Sequence, residues 1–199
     1  MQGLLLTLAI SAICFTRASG KLSKTPCSKV ESQQNFTLSE YMGVWHEIER
    51  LPTHFVSGEC VTEKYSLQPN GWIKLTTMER LENGSLQYYQ GELAPRHLNV
   101  TSTLQYRSGL PFQSIPEMAE FSFVPYIILS TDYTSYSLVY SCFQRQMFSW
   151  NRVEYAWILS RERHLSEDVI NRLHEILEKY EIQADELVKS PQENCPKNT

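Results

Sequence analysis

The sequence has few of the features that mark membrane-spanning, nucleic-acid-binding or zinc-binding proteins. Beyond residue 20, no segment has the run of about 18 consecutive apolar residues that a membrane-spanning helix needs. No run of lysine and arginine stands out, which argues against nucleic acid as a partner. The chain has only 5 histidines, and its 5 cysteines show no C-x-x-C spacing, so no metal site is expected. Repeats, low-complexity segments and linkers are also absent, and a single domain is expected.

The first twenty residues have the composition of a secretory signal peptide. An apolar run from Leu4 to Phe15 is followed by the small residues Ala18-Ser19-Gly20, a pattern typical of a cleavage site. Residues 1–20 are therefore predicted to be removed, and residues 21–199 to form the single domain. Loss of Arg17 with this leader leaves 17 basic and 22 acidic residues, a net charge of −5. The protein is predicted to be secreted and extracellular.

The cysteines and the N-glycosylation sequons agree with export. Cys14 lies in the leader, and four cysteines remain. An even number in a secreted chain predicts two disulfides, and the spacing alone leaves all three pairings open. The sequons at Asn35, Asn83 and Asn99 satisfy the Asn-X-Ser/Thr rule, and at least one is expected to carry a glycan.

Strand-length segments rich in Val, Ile, Thr and aromatic residues follow one another along most of the chain. Turn signals separate them, and Pro69-Asn70-Gly71 and Asn83-Gly84 are typical of hairpins. Residues 166–180 instead repeat apolar residues at helical spacing, which predicts a helix. A short strand is expected near Ala184–Val188. The eight main strands are predicted at Val44–Leu51, Cys60–Leu67, Trp72–Leu81, Leu86–Leu93, Val100–Arg107, Phe121–Ser130, Thr134–Phe143 and Val153–Ser160.

Three separated motifs resemble the signature segments of the lipocalin family. They are Gly43-Val44-Trp45, Thr131-Asp132-Tyr133, and Arg161 after Trp157-Ile158-Leu159. The resemblance covers essentially the whole chain after the leader. It implies an all-β fold, an eight-stranded up-and-down antiparallel β-barrel with one C-terminal α-helix packed outside.

The same resemblance assigns structural roles to particular residues. One end of the barrel would be closed by the motif residues, with Arg161 packed across the ring of Trp45 by a cation–π contact. The disulfides would pair Cys27 with Cys142 and Cys60 with Cys195. The motif residues are Gly43, Trp45, Thr131, Asp132, Tyr133 and Arg161.

Side-chain alternation along each strand then predicts which residues face the interior. Trp45 at the closed end places Glu47 and Glu49 inside, and the outward cysteine Cys60 places Glu63 inside. Leu138 and Tyr140 would point outward, under the helix. A β-bulge would reverse these assignments beyond it. The predicted ligand contacts are Glu47, Val61, Tyr65, Ser137, Val139, Tyr155 and Trp157.

Several of these assignments have a second interpretation. Glu47 either orients a polar group of the ligand or is satisfied by nearby tyrosine hydroxyls, since a buried carboxylate needs hydrogen bonds. Tyr65 and Trp157 either contact a ligand or simply fill the barrel. With Trp45 at the closed end, the loops 52–59, 82–84, 108–120 and 144–150 are expected at the open end. Their apolar residues form either a rim around the pocket or a contact with a lipoprotein or membrane surface.

The family resemblance implies a carrier that holds a small hydrophobic ligand in the barrel. The ligand would be a fatty acid such as arachidonate, a steroid such as progesterone, or a related lipid, with no cofactor.

Two other functions stay open. One is a protein-binding or inhibitory lipocalin that acts through its loops. The other is a prostaglandin-isomerase-like enzyme, which needs a free, activated cysteine thiol. A monomer is expected, and no leftover cysteine predicts a disulfide-linked partner.

Overall fold

A closed antiparallel β-barrel is the main feature of the computed structural model. The structure describes residues 26–53, 56–97, 100–108, 124–145 and 151–196. Within them the elements are α1 (Leu38–Tyr41), β1 (Gly43–Arg50), β2 (Glu59–Leu67), β3 (Ile73–Arg80), β4 (Leu86–His97), β5 (Val100–Ser108), β6 (Val124–Thr131), β7 (Tyr136–Arg145), β8 (Asn151–Ser160), α2 (Glu167–Lys179), a 3-10 turn (Ala184–Glu186) and β9 (Val188–Lys189).

The barrel closes through its first strand. Each strand from β2 to β7 pairs with the next one in the chain, and β1 pairs with both β8 and β2. The two ends of the sheet therefore meet at β1. The predicted eight-stranded, up-and-down antiparallel barrel is confirmed.

Helix α2 packs against the outer face of β7 and β8. It begins directly after Ser166, as predicted, and buries Ile170, Leu173 and Leu177. These side chains form one apolar cluster with outward-pointing residues of the two strands, which include Leu138 and Tyr140. The prediction that Leu138 and Tyr140 lie outside, under the helix, is therefore confirmed.

The strand after the helix lies later in the chain than predicted. Residues 184–186 form a 3-10 turn, closed by a hydrogen bond from the Leu187 amide to the Ala184 carbonyl at 3.1 Å. Ala184 is buried in the apolar cluster under α2, and the turn occupies the residues where the strand is expected to start. The strand is Val188–Lys189, and it pairs with Arg50 and Glu49 of β1.

The C-terminal segment, residues 188–195, seals a gap in the barrel wall. Strands β1 and β2 pair only from Gly43–Tyr65 to His46–Thr62 and then separate. The Ser190 amide donates to the Ile48 carbonyl of β1, and the Cys60 amide of β2 donates to the Pro191 carbonyl, both at 2.8 Å. The Gln192 amide group donates to carbonyls on both strands, those of Glu47 and Val61, at 2.9 Å each.

Two disulfides attach the terminal segments to the barrel. Cys27 is bonded to Cys142 of β7, and Cys60 of β2 is bonded to Cys195. Both pairings agree with those implied by the family resemblance. Each bridge is typically worth about 2–4 kcal/mol of stability. Cys14 lies outside the described residues.

Candidate functional site in the barrel interior

Trp45 and Arg161 close one end of the barrel. Trp45 is fully buried, donates from Nε1 to the Tyr41 carbonyl at 2.9 Å, and lies with its ring centroid 3.7 Å from Arg161 Cζ. Gly43 begins β1 with φ +103°, and a Cβ there would lie 3.3 Å from Arg161 Nη1. The guanidinium also donates to five main-chain carbonyls, those of Glu40, Tyr41, Met42, Val44 and Tyr133.

The turn between β6 and β7 lies at the same end. Asp132 accepts hydrogen bonds from the backbone amides of residues 134–136 and from the Ser135 hydroxyl. Burial opposes ionisation, but these hydrogen bonds prevail and lower the pKa of Asp132. Thr131 donates to the Tyr136 carbonyl at 2.7 Å, and the Tyr133 hydroxyl accepts from the Thr37 amide at 2.9 Å. The turn thus attaches the segment before α1 to the barrel floor.

A buried carboxylate and two tyrosines occupy the middle of the interior. Glu63 on β2 accepts hydrogen bonds from the hydroxyls of Tyr65 and, at 3.4 Å, Tyr126. The two hydroxyls lie 2.5 Å apart, and because β2 and β6 are not neighbours, this contact crosses the barrel. Burial, with the negative charge of Glu47, raises the pKa of Glu63 to about 7 against the effect of the tyrosine hydrogen bonds. Glu63 and Tyr65 are inside, as the alternation predicts.

An aromatic stack continues from this cluster along β8. The Trp157 ring stacks with those of Tyr126 and Tyr155, with centroid distances of 6.1 and 5.6 Å. Trp157 also packs against the buried interior cluster that contains Val139. The Ser137 hydroxyl lies 2.9 Å from that of Tyr41, near the floor. The predicted contacts on β7 and β8 therefore share one stretch of interior wall.

Val61 is set apart from the other predicted contacts. It is fully buried, and its carbonyl accepts the Gln192 hydrogen bond at the sealed gap. Its position on β2 is thus tied to closure of the wall.

A β-bulge in β1 corrects the predicted orientation of Glu49. The register with β8 shifts between Glu47 and Glu49, so that Glu47 pairs with Leu159 and Arg50 with Trp157. Because Leu159 and Trp157 belong to the interior cluster, Glu47 and Arg50 face inward. Glu49 points outward, where its carboxylate lies 2.7 Å from His174 Nε2 on α2. The alternation predicts two carboxylates inside, whereas the bulge places one carboxylate and one guanidinium there.

Glu47 and Arg50 form a buried ion pair. Arg50 Nη1 donates to Glu47 Oε1 at 2.5 Å, and only 1% of Glu47 is exposed. Burial raises the pKa of Glu47, although Arg50 opposes the shift. Glu47 is therefore satisfied by Arg50, and not by the tyrosine hydroxyls that the second interpretation expects.

Arg50 and Glu79 also hold the loop between β1 and β2, at the barrel end opposite Trp45. Arg50 Nη2 donates to the Val56 carbonyl at 3.3 Å. Glu79 of β3 is buried and accepts from the amides of Ser57 and Gly58 at 3.0 and 2.5 Å, and from the Tyr89 hydroxyl. A Cβ at Gly58 would lie 2.5 Å from the Arg80 carbonyl oxygen, so only glycine fits this approach.

Sequence analysis missed both Arg50 and Glu79 as interior residues. Glu79 was detectable, because the hairpin that pairs Leu67 with Ile73 also pairs Glu63 with Thr77, which places Thr77 and Glu79 on the inner face. The inward orientation of Arg50 was not detectable in this way, because it depends on the bulge in β1. Most residues of the predicted apolar loops at the open end lie outside the described residues.

The described residues also bear on free cysteines, metal binding and membrane-spanning helices. All four of their cysteines are in disulfides. No group of three or more His, Cys, Asp or Glu among these residues is arranged to hold a metal ion. None of their helices is both long and apolar enough to cross a bilayer.

Comparison with known proteins identifies the family. A model described as a lipocalin-like domain matches residues 36–192. The chain belongs to the lipocalin family. This lipocalin is 37% identical to apolipoprotein D from Macaca fascicularis over 199 residues, covering 98% of each chain. It is also 37% identical to apolipoprotein D from Rattus norvegicus, again with 98% of each chain covered. The fold is similar to that of lobster apocrustacyanin A1, with a TM-score of 0.68 at 21% identity, covering 84% of this chain and 88% of that one.

Proposed function

We propose that this lipocalin is a secreted carrier that binds a small hydrophobic ligand in the barrel interior. The ligand class is a fatty acid such as arachidonate, a steroid such as progesterone, or a related lipid. The observation that carries the proposal is the wall formed by Tyr126, Trp157 and Tyr155, whose stacked rings offer flat apolar area. A few polar groups placed among apolar side chains are typical of small-molecule sites. The likeness to apolipoprotein D supports the same role.

The proposed ligand contacts are the interior residues of four strands. Tyr65, Tyr155 and Trp157 supply aromatic surface, and Val61 and Val139 supply aliphatic surface. Glu47 and Ser137 supply polar groups, but both already have partners within the protein, Arg50 and Tyr41. We therefore assign most of the binding free energy to apolar contact, at about 25 cal/mol per Å² of surface removed from water.

Ligand titration of the secreted protein tests the carrier function. We expect native mass spectrometry to detect a copurified lipid or a 1:1 complex with added arachidonate or progesterone. Because Trp157 is itself a fluorophore, affinities of variants should be measured by isothermal titration calorimetry. Trp157→Ala is expected to weaken binding about tenfold or more, by loss of one wall of the site. Trp72 is the matched control, since its ring lies 5.0 Å from Arg107 Cζ and outside the stack.

The two outcomes separate the functions. Binding that Trp157→Ala weakens and Trp72→Ala does not would support a ligand in the interior. If no lipid copurifies and neither compound binds, the carrier function is wrong, and a role through the loops takes its place. An enzyme of the thiol type requires a free cysteine, so titration of the native protein with a thiol reagent tests that alternative.

Secretion, glycosylation and oligomeric state belong to the same proposal. The two disulfides fit an oxidising compartment. Asn35 and Asn83 are exposed, while Asn99 and the leader lie outside the described residues. We propose a monomer in which Asn35, Asn83 and Asn99 are acceptors for glycans.

Contact of the open-end loops with a lipoprotein or membrane surface stays a prediction. Absence of cosedimentation with lipid vesicles at physiological salt would refute it.

A further inference from the structure

Two buried polar atoms on the interior wall have no hydrogen-bond partner within the described part of the chain. Arg50 is 8% exposed and Ser141 is 2% exposed, and neither Arg50 Nε nor Ser141 Oγ has a partner among the residues that the structure describes. Buried donors in native proteins are nearly always paired, because an unpaired one loses its bond to water without replacement. A ligand that accepts a hydrogen bond would supply the missing partner.

Both groups lie on the face that lines the interior. Arg50 is in register with Trp157, and Ser141 is in register with Tyr155. Strands β1, β8 and β7 are neighbours, so the aromatic pair Trp157–Tyr155 lies on the strand between the two donors. A ligand against these rings would therefore be flanked by Arg50 on one side and Ser141 on the other.

The free edge of Arg50 can donate a hydrogen bond to an acceptor oxygen of a ligand. Its Nη1 atom donates to Glu47 at 2.5 Å and is 3.4 Å from the Ser190 hydroxyl, and its Nη2 atom donates to the Val56 carbonyl at 3.3 Å. The Nε–H group therefore has no partner among the described residues, and one of the two Nη2–H groups is also left over.

The charge of the interior disfavours an anion. Glu47, Glu63 and Glu79 are all at least nine-tenths buried on the inner faces of adjacent strands. Among the described residues of the inner wall, Arg50 is the one cation that faces them, since Arg161 lies across Trp45 at the floor. A further carboxylate would add like charge to a poorly solvated site, which is unfavourable.

We propose that the interior selects an uncharged lipid whose carbonyl oxygen accepts a hydrogen bond from Arg50 Nε–H, in preference to the corresponding fatty-acid anion. Ser141 provides the second donor. This inference rests on the proposed carrier function and specifies the ligand class. An ester, an amide or a keto group has the required acceptor and carries no charge.

A matched pair of ligands tests the selection. Arachidonate and the methyl ester of arachidonic acid differ at one end only, and we expect the ester to bind about tenfold more tightly near pH 8. The ester is also more apolar, so a variant must separate charge from hydrophobicity. Glu63→Gln removes one interior negative charge with little change in shape. It is expected to strengthen arachidonate binding several-fold and to leave ester binding within about twofold.

Two further variants test the donors. Arg50→Lys keeps a positive charge beside Glu47 but removes the planar Nε–H edge, and Ser141→Ala removes only a hydroxyl. Each is expected to weaken ester binding about threefold to tenfold. Arg172→Lys, on the exposed face of α2, is the matched control. If Arg50→Lys does not fold, Ser141→Ala and Glu63→Gln still decide the matter.

The experiments distinguish failure of the proposed ligand selection from failure of the carrier function. If arachidonate binds as tightly as its ester, or Glu63→Gln leaves arachidonate binding unchanged, the inference is wrong while the carrier function stands. Unchanged ester affinity in both donor variants also overturns it. If arachidonate, its ester and progesterone all fail to bind the wild-type protein, the carrier function itself is refuted.

Discussion

Replacing Glu63 with glutamine is expected to remove a pH-dependent loss of stability. Glu63 is buried, and the groups that face it are the hydroxyls of Tyr65 and Tyr126 and the carboxylate of Glu47. Burial and the charge of Glu47 favour the protonated form. Glutamine keeps the shape and a carbonyl oxygen that accepts the tyrosine hydrogen bonds, but it cannot ionise.

The magnitude follows from the difference between the folded and unfolded pKa of Glu63. The pKa rises from an ordinary 4.5 to about 7 on folding. A raised carboxyl pKa contributes stability that is fully present below pH 4.5 and is lost as the pH rises to about 7, because the unfolded chain ionises first. At 1.36 kcal/mol per pH unit, this loss is about 3 kcal/mol. Above the folded pKa, the loss stays constant.

Guanidinium denaturation followed by tryptophan fluorescence measures this effect. The free energy of unfolding of Glu63→Gln minus that of the wild type is expected to increase by about 3 kcal/mol between about pH 4.5 and pH 7.5. Glu59→Gln is the matched control, because its carboxylate lies on the same strand but is exposed and paired with Arg80. A difference between variant and wild type that does not change with pH would show that Glu63 ionises normally, and the reasoning from burial would be refuted.

Three other perturbations test separate features. Arg161→Met removes five hydrogen bonds and the contact with the tryptophan ring at the floor, and we expect it to lower the free energy of unfolding by about 2–4 kcal/mol in the same denaturation assay. Arg172→Met on the helix surface is its control, and equal effects of both would contradict the role of the floor. Replacing Cys60 and Cys195 together with serine is expected to remove about 2–5 kcal/mol, and an unchanged denaturation midpoint would refute this. Asn83→Gln is expected to reduce the mass of the secreted protein by one glycan, and identical intact masses after secretion would exclude this site.

The strands and the helix were predictable because their signals are local. The hairpin turn Pro69-Asn70-Gly71 fixes the register of β2 with β3, and the predicted Cys60–Leu67 differs from β2 by one residue at its start. Apolar spacing placed α2 within one residue at each end. The inward assignment of Tyr65 and Trp157 followed from two-residue alternation, which holds along β2 and β8 wherever no bulge intervenes.

The orientation of Glu49 was not predictable from alternation, because a bulge has no simple sequence signal. An unbulged β1 would bury the carboxylates of Glu47 and Glu49 together and leave Arg50 outside. The bulge instead gives Glu47 a guanidinium partner and lets Glu49 reach His174 on α2. One extra residue in the strand thus satisfies two carboxylates, and this gain depends on a helix more than a hundred residues later in the sequence.

The C-terminal segment has a consequence for biosynthesis. Residues 188–195 seal the wall between β1 and β2, yet they are synthesised after all eight barrel strands. A chain synthesised only as far as residue 187 would lack this segment, so the wall between β1 and β2 would be incomplete beside Val61. Sealing joins positions as distant as Cys60 and Cys195, which are 135 residues apart in the sequence. The complete wall therefore requires the complete C-terminal segment. A tag or truncation placed in this stretch would therefore alter the wall of the barrel itself.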